Sequence, residues 1–330
     1  MEVIGLFVIF FLSLAVLVKA SDFFTEAAEK IGILLGLSPF IVGVTIVAAG
    51  TSLPELISSI VAVFQNSSEI VVANVVGSNI ANIFLILGTA AVVSLGKSKE
   101  INIGYDLVSV DLPLFVGSAF LLGLTIWDQD FSRVEAGILV VGYIMYLFYT
   151  IQSSGIDADS PDSAAPSDDR PQDPPSSPEE TTSLSRQLLV VVISALFIFL
   201  GANYTIDSLI KISDLLQIGK EIIAVSAVAV GTSLPELIVT INAALKGKAD
   251  VAIGNVLGSN IFNIFMVMGI PGLLRPLTIP DSVITGGLPV LIAGTLLMFF
   301  VTQDKKLTIW EGWMFFIFYF WFIAKTFNLA

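Results

Sequence analysis

The sequence contains no cysteine and no histidine, and only 13% of its 330 residues are charged. These absences exclude disulfides, thiol nucleophiles, imidazole bases and metal sites of the Cys/His type. Any ion bound by the chain must therefore be held by oxygen atoms. Basic residues are scarce as well, with 15 Lys and Arg against 28 Asp and Glu, and the net charge of −13 argues against nucleic-acid binding.

Apolar residues dominate what is present. Hydrophobic residues make up 55% of the chain and the mean hydropathy is +0.91, and the apolar runs are too many and too long for a soluble core. The sequence predicts an all-α membrane protein with ten transmembrane helices. The predicted spans are residues 3–20, 38–64, 70–94, 107–126, 132–151, 187–208, 221–245, 250–274, 283–301 and 307–327. Residues 3–20 lack a basic segment before them and are interpreted as a retained helix.

One change of composition divides the chain. Residues 152–186 lose the hydrophobic character and mix acidic residues with Pro and Ser, which is typical of a disordered linker. The predicted domains are a first five-helix repeat over residues 1–151, this acidic loop, and a second five-helix repeat over residues 187–330.

The two halves are related in sequence. Residues 41–89 and 222–270 align without a gap at an offset of 181, with 24 of 49 positions identical. The last span of each half also opens with a similar pattern, Ser132-x-x-Glu135 and Thr308-x-x-Glu311, which predicts a capping box. Because five spans is an odd number, the second copy must enter the membrane from the opposite side, which predicts an inverted repeat.

The strongest signal is a charged, proline-containing motif within an apolar span. Residues 50–55 read Gly-Thr-Ser-Leu-Pro-Glu, and residues 231–236 repeat them. A carboxylate near the bilayer centre costs about 2.5–3.5 kcal/mol and marks a functional site. Pro54 and Pro235 have no N–H to donate, so they predict broken helices with free carbonyls beside the carboxylates. Such oxygen ligands suit Ca2+ or Na+.

Helical spacing supports one shared site. Thr51 and Ser52 lie four and three residues before Glu55, and Ser78 lies four residues before Asn82, so each set can share a helix face. The inverted copy would close the cage from the other side with Thr232, Ser233, Glu236, Ser259 and Asn263. Two carboxylates are neutralised by one Ca2+ or by two Na+, so the two ions would compete.

At these residues the chain resembles a known family. Gly-Thr-Ser-Leu-Pro-Glu followed by Gly-Ser-Asn-Ile-x-Asn, present twice, resembles the alpha repeats of the cation/calcium antiporter superfamily, in particular the short prokaryotic sodium/calcium exchangers. The motifs occupy residues 38–94 and 221–274. The resemblance implies that Glu55 and Glu236 bind Ca2+, with the backbone carbonyls of Thr51 and Thr232.

The resemblance also implies the positions of the Na+ ligands. These are the side chains of Ser52, Ser78, Ser233 and Ser259 with the carbonyls of Ala48 and Ala229, while Asn82 and Asn263 line the middle of the site. Some relatives, including potassium-dependent ones, carry Asp where this chain has Asn263. The resemblance therefore argues against potassium dependence and leaves two carboxylates in the site.

The predicted function is an antiporter that extrudes Ca2+ against an inward Na+ gradient by alternating access, with the first span of each half as the sliding element. It needs no cofactor beyond the transported ions and no obligate protein partner, and a monomer surrounded by membrane lipid suffices. Ten Lys and Arg residues fall in the inside loops against five outside if the N-terminus is external. This predicts a cell-membrane protein with both termini outside and the central loop in the cytoplasm.

Two other transport functions remain open. H+/Ca2+ antiport is the first alternative, since protons can replace Na+ on the same carboxylates. A cation channel with a Glu-lined filter is the second, although an inverted repeat suits alternating access better. An enzyme is not expected, because no His or Cys is present to act as base or thiol nucleophile.

Overall fold

The computed structural model describes residues 2–93, 100–105, 111–157, 183–215 and 233–326, and these are mostly helical. The helices of the first half are α1 (Glu2–Leu35), α2 (Pro39–Val42), α3 (Ala48–Phe64), α4 (Glu69–Ala81), α5 (Leu87–Val93), α6 (Asp111–Ile126) and α7 (Arg133–Asp157). Those of the second half are α8 (Leu184–Leu215), α9 (Leu234–Leu245), α10 (Ala249–Phe262), α11 (Met268–Leu274), α12 (Leu288–Val301) and α13 (Ile309–Thr326). The strands are β1 (Glu100–Asn102), β2 (Asp130–Phe131), β3 (Leu277–Thr278) and β4 (Lys306–Thr308).

The helices confirm a multi-pass membrane protein. Within the described residues, seven helical segments are long and apolar enough to cross a membrane, and two shorter apolar helices, α6 and α9, accompany them. The seven are Gly5–Leu35, Pro39–Phe64, Glu69–Val93, Arg133–Gln152, Leu184–Ser208, Ala249–Leu274 and Val283–Asp304.

Helix α1 is longer than the predicted span of residues 3–20, because it continues to Leu35. Charged residues end the apolar run after Lys19, but the helical periodicity continues and buries Phe24, Ala28 and Ile31 on one face. The boundaries of the central loop also differ from the prediction of 152–186. Helix α7 extends to Asp157 and α8 begins at Leu184, and residues 158–182 lie outside the described part of the chain.

Within the described residues, four π-helical turns interrupt the α-helices. One, Gly43–Val47, joins α2 to α3, and another, Val283–Gly287, leads into α12. The remaining two, Asn82–Ile86 and Asn263–Val267, join α4 to α5 and α10 to α11. These last two begin 181 residues apart, at Asn82 and Asn263, so the halves share the same irregularity at the same repeat position. Such π-bulges are frequent at functional sites.

The helix break predicted at Pro54 is not found, because α3 continues through this proline. A proline removes one hydrogen bond, here to the carbonyl of Gly50, while the flanking turns keep theirs. In the second copy, Pro235 lies in the first turn of α9, where a missing N–H costs nothing. In the part of the chain that the structure describes, the π-helical turns are the backbone irregularities nearest to the site.

Helix α10 lies at the centre of the molecule. All of its residues from Val251 to Phe262 are buried, and these include the polar residues Asn255, Ser259 and Asn260. Its glycines permit close backbone contact with the first half. A Cβ on Gly254 would lie 2.6 Å from the carbonyl oxygen of Phe40, and one on Gly258 would lie 2.6 Å from the Cα of Val44.

The connections of the two halves pair crosswise. Strand β1, which follows the third predicted span, pairs antiparallel with β4, which follows the ninth. Strand β2, which follows the fourth span, pairs with β3, which follows the eighth. At the end of the molecule where β1 pairs with β4, called the β1–β4 end below, the Gly104 N–H donates a hydrogen bond to Asp250 at 2.9 Å. The β2–β3 end carries one from Arg275 to Asn66 at 2.6 Å.

Ion pairs fasten α1 to the turn after α9. Lys246 lies 2.8 Å from Asp22 and 3.4 Å from Glu26, and Lys248 pairs with Glu29. Partial burial disfavours the charged form of Lys246, but the hydrogen bonds and charges of Asp22 and Glu26 outweigh it and raise its pKa above the usual value. These pairs place the C-terminal half of α1 at the β1–β4 end.

Candidate functional site

The two glutamates of the repeated motif lie in one buried site. Glu55 belongs to α3 and Glu236 to α9, and each is 1% exposed. The hydroxyl of Ser52 donates a hydrogen bond of 3.0 Å to Oε1 of Glu236. This bond joins the first half to the second and brings both copies of the motif together.

Hydroxyl groups form the next layer of the site. Thr51, also on α3, approaches the Ala48 carbonyl at 3.2 Å, Oδ1 of Asn255 at 3.3 Å and Oγ of Ser259 at 3.4 Å. Because α10 carries Asn255 and Ser259, Thr51 is the point where the central helix meets the first motif. Its hydroxyl is surrounded by acceptor oxygens from both halves.

Three asparagines link α4 to α10 and the π-helical turn after it. Asn79 donates through Nδ2 to the backbone carbonyl of Asn260 at 3.2 Å, and its Oδ1 accepts from Nδ2 of Asn263 at 3.1 Å. All three side chains are buried. The two bonds define the orientation of the Asn79 amide, and they leave the carbonyl oxygen of Asn263 available for another partner.

Several buried oxygens of the site have no hydrogen-bond donor in the described part of the chain. Among the described residues, no hydrogen-bond partner exists for either carboxylate oxygen of Glu55, for Oε2 of Glu236 or for Oγ of Ser233, and the same holds for Oδ1 of three asparagines, Asn82, Asn260 and Asn263. Leaving buried acceptors unsatisfied is costly, and a hard cation is the partner that satisfies several of them at once. These oxygen ligands therefore fit Ca2+ or Na+ as a transported substrate.

The structure brings together most of the residues predicted for the site. Glu55, Glu236, Thr51, Ser52 and Ser259 are connected as described, and the Ala48 carbonyl lies beside Thr51. Ser78 is buried on α4, and its hydroxyl donates to Asn74 at 3.4 Å. Ala229 and Thr232 lie outside the described residues. The assignment of individual oxygens to Ca2+ or Na+ remains a prediction.

Sequence reasoning missed Asn255 and its repeat counterpart Asn74. Nδ2 of Asn255 donates to Oγ1 of Thr240 at 2.9 Å, while its Oδ1 accepts from Thr51. Nδ2 of Asn74 donates to Oγ of Ser59 at 3.5 Å in the first half. The four residues form two equivalent pairs at an offset of 181. The identity of Asn74 and Asn255 within the aligned repeats was the available signal.

The site carries two carboxylates and no larger acidic cluster. In the described part of the chain, no group of three or more His, Cys, Asp or Glu side chains is arranged to hold a metal. The remaining ligands are neutral amide, hydroxyl and carbonyl oxygens. Two carboxylates and neutral oxygens buried among apolar helices indicate a membrane protein that transports or conducts small hard cations.

Comparison with known proteins specifies the family. The family model described as sodium/calcium exchanger protein matches residues 5–152 and 186–327. The chain therefore belongs to the sodium/calcium exchanger family.

Individual relatives agree over nearly the whole length. The sodium/calcium exchanger MaX1 of Methanosarcina acetivorans is 36% identical, with 98% of this chain and 99% of that protein covered. The uncharacterized membrane protein MJ0091 of Methanocaldococcus jannaschii is 30% identical, with 96% of each chain covered. A solved structure of the sodium-calcium exchanger NCX_Mj soaked with zero Na+ and Ca2+ superposes with a TM-score of 0.79 at 28% identity, covering 98% of this chain and 99% of that one.

Proposed function

We propose that this protein carries out the sodium/calcium antiport of its family at one central site bounded by Glu55 and Glu236. Membership of the family makes it an antiporter of Na+ and Ca2+. The observation that carries the location of the site is the set of buried oxygens, at and around two buried carboxylates, that have no hydrogen-bond donor among the described residues. One Ca2+ or two Na+ neutralise this pair, so the ions compete for it.

The proposed ligands follow the predicted set. Glu55 and Glu236 bind Ca2+ with the carbonyls of Thr51 and Thr232. Na+ draws on four serines and two alanine carbonyls, with Asn82 and Asn263 in the middle: Ser52, Ser78, Ser233, Ser259, Ala48 and Ala229. The hydrogen bond from Ser52 to Glu236 supports a site shared by the two copies.

The proposed architecture is ten spans in two inverted five-helix repeats, residues 1–151 and 187–330. The crosswise pairing of β1 with β4 and of β2 with β3 supports inversion. In parallel repeats, equivalent connections of the two halves would lie on the same side of the membrane. Here the connection after the third span of one half pairs with the connection after the fourth span of the other half. We place the β1–β4 end and the acidic loop in the cytoplasm and both termini outside, as the basic residues favour.

The proposed transport cycle depends on charge. Two unpaired carboxylates are costly to move through a low-dielectric interior, so only loaded states alternate between inward and outward access. Helices α1 and α8 slide, and the normal direction is Ca2+ extrusion against the inward Na+ gradient. A monomer in membrane lipid suffices, without cofactor, protein partner or enzymatic activity.

The test is uptake of radioactive Ca2+ into proteoliposomes that are loaded with Na+ and diluted into Na+-free medium. Wild-type uptake is expected to require internal Na+. Glu55→Gln and Glu236→Gln each remove one of the two charges while keeping the side-chain shape, and both are expected to abolish exchange. Glu69→Gln, at an exposed position in the first turn of α4, is the matched control and is expected to exchange normally.

Other outcomes assign the alternatives. Uptake driven by a pH gradient without Na+ would indicate H+/Ca2+ antiport, and uptake without any countergradient would indicate a channel. Full-rate exchange in both Gln variants would refute the proposed site.

A further inference from the structure

The C-terminal half of α1 is bonded to α9, the helix that carries Glu236. Nδ2 of Asn242 on α9 donates hydrogen bonds to Oγ of Ser21 at 2.8 Å and to the carbonyl oxygen of Val18 at 3.2 Å. Ser21 is fully buried. Asn242 follows Glu236 by six residues, which is a rise of about 9 Å along the helix. The contact therefore lies close to the ion site, between Glu236 and the C-terminal end of α9.

An ion pair continues this contact toward the β1–β4 end. Lys246, one helical turn beyond Asn242, lies 2.8 Å from Asp22 and 3.4 Å from Glu26. Asp22 directly follows Ser21, so the ion pair and the hydrogen bond are neighbours. The hydrogen bond of Asn242 with Ser21 and the ion pair of Lys246 with Asp22 are together called the α1–α9 clasp below.

The same part of α1 contacts the first motif. A Cβ added to Gly50 would lie 2.4 Å from Cζ of Phe24, so the ring of Phe24 packs directly on this glycine. Phe24 is fully buried, and Gly50 immediately precedes Thr51 of the ion site. Helix α1 therefore contacts α3 beside the site and α9 between the site and the β1–β4 end. In this position it covers the side of the site that faces the β1–β4 end.

The equivalent positions of the other repeat cannot form such a clasp. The offset of 181 continues into α1 and α8, where it pairs Lys30 with Lys211 and Ile31 with Ile212. At this offset the clasp residues correspond to residues without the required polar atom or charge: Ala202 for Ser21, Asn203 for Asp22, Val61 for Asn242 and Gln65 for Lys246. Two identical inverted repeats would give inward and outward access the same free energy. A contact that is present in one repeat alone removes this equality.

We propose that the α1–α9 clasp holds the cytoplasmic access route to the ion site closed and thereby biases the exchanger toward outward access. Helix α1 has to leave α9 before the site opens at the β1–β4 end, and this step breaks the hydrogen bond of Asn242 with Ser21. Opening at the other end breaks no equivalent bond. Asn242 is thus a positioning residue that acts through α1. The inference rests on the proposed alternating access and on the proposed orientation.

The first test compares the two membrane faces. The Ca2+ concentration for half-maximal Na+-dependent uptake is measured in inside-out and in right-side-out membrane vesicles. Asn242→Leu keeps the side-chain volume and removes the hydrogen bonds to α1. An apparent affinity scales with the population of the state that exposes the site, and one net hydrogen bond changes such a population ratio about fivefold. We therefore expect the ratio of the cytoplasmic to the external half-maximal concentration to fall about fivefold.

Two further variants separate this effect from general damage to α1. Ser21→Ala removes the acceptor hydroxyl with a minimal change of volume, and it is expected to lower the ratio in the same direction. Thr205→Val is the matched control, because it removes a buried hydrogen bond of 2.9 Å to Ser13 that joins α1 to α8 and not to α9. It is expected to leave the ratio unchanged. An unchanged ratio in both clasp variants, or an equal fall in Thr205→Val, would overturn the proposal.

A labelling experiment tests the clasp without ion flux. Thr25 lies one turn after Ser21 on the same face of α1 and is fully buried, and the natural sequence contains no cysteine. In inside-out vesicles, a membrane-impermeant maleimide is expected to label Thr25→Cys about fivefold faster when Asn242→Leu is also present. Equal labelling rates would overturn the clasp whether or not exchange is observed. Faster labelling without Na+-dependent Ca2+ uptake would support the clasp and refute the proposed exchange.

Discussion

At the scale of single residues, the site depends on bonds that cross between the halves. Ser52 of the first motif bonds to Glu236 of the second, and Thr51 contacts Asn255 and Ser259 on the central helix. A cation ligand is effective only when neighbouring groups hold it in position. Asn255 does so by linking Thr51 on one side to Thr240 on the other.

Replacing Asn255 tests this positioning role. Asn255→Leu keeps the volume but removes both hydrogen bonds and leaves the Thr51 and Thr240 hydroxyls with fewer partners. Each lost partner in a buried site costs about 1–3 kcal/mol, so we expect Na+-dependent Ca2+ uptake to fall roughly tenfold or more. The measurement is initial uptake in proteoliposomes, compared with Asn203→Leu at an exposed position of α8.

A double variant separates positioning from general destabilisation. If Asn255 acts through Thr51, the losses from Asn255→Leu and Thr51→Val overlap, and the double variant is little worse than the more severe single variant. Fully additive losses would contradict the positioning role.

At the scale of elements, the arrangement depends on close contact of α10 with the segment formed by α2, the π-helical turn after it and α3. Glycines at positions 43, 254 and 258 let the backbones approach, so that Thr51 reaches Asn255. The π-helical turns at Asn82 and Asn263 then place their amide groups at equivalent points of the two halves. A one-residue change of helical phase at each turn directs the residues after it to a different face.

Gly258→Ala tests the close contact. The added Cβ would lie 2.6 Å from the Cα of Val44 and 2.7 Å from the Cβ of Ala48, so the helices must separate. We expect a destabilisation of about 1–3 kcal/mol and a loss of exchange, because the ligands of the two halves would no longer meet. Thermal unfolding in detergent and Ca2+ uptake measure the two effects.

Gly137→Ala on α7 is the control for this prediction. Apart from its chain neighbours and the backbone of its own helix, a Cβ there would have no described atom within 4 Å. We expect an unchanged or slightly higher stability, since Ala is favoured over Gly in a helix by about 0.5–1 kcal/mol. If both Ala variants behave alike, close contact at Gly258 is not important.

At the scale of the whole molecule, contacts between the connecting segments place these segments at two ends of the molecule. β1, β4, Asp250, Lys246 and Lys248 lie at one end, and β2, β3, Asn66 and Arg275 lie at the other. Equivalent connections of the two halves fall at opposite ends. This distribution is what an inverted repeat requires.

Cysteine labelling tests the inversion directly, because the natural sequence has no cysteine to give background. Asp128 and Lys306 lie in equivalent connections, after the fourth span of each half, and both are exposed. We expect a membrane-impermeant maleimide to label Asp128→Cys in intact cells and Lys306→Cys only after permeabilisation. Labelling of both from the same side would exclude the inverted repeat.

The sequence alone determined the class of protein, the duplication and the paired glutamates. These features are local: apolar runs, a 181-residue offset and a carboxylate beside Pro54 or Pro235 can be read without knowing which helices touch. The absence of Cys and His limited the ion chemistry to oxygen ligands. The capping boxes were also predictable, and Ser132 and Thr308 donate their N–H groups to Glu135 and Glu311.

Only the tertiary structure decided how the halves meet. The Ser52–Glu236 and Thr51–Asn255 bonds join residues 184 and 204 positions apart, and such contacts depend on the rotation of each helix and not on the local sequence. The length of α1 and the continuity of α3 through Pro54 also depended on packing, because buried neighbours stabilise helical turns that charge or proline disfavours in isolation.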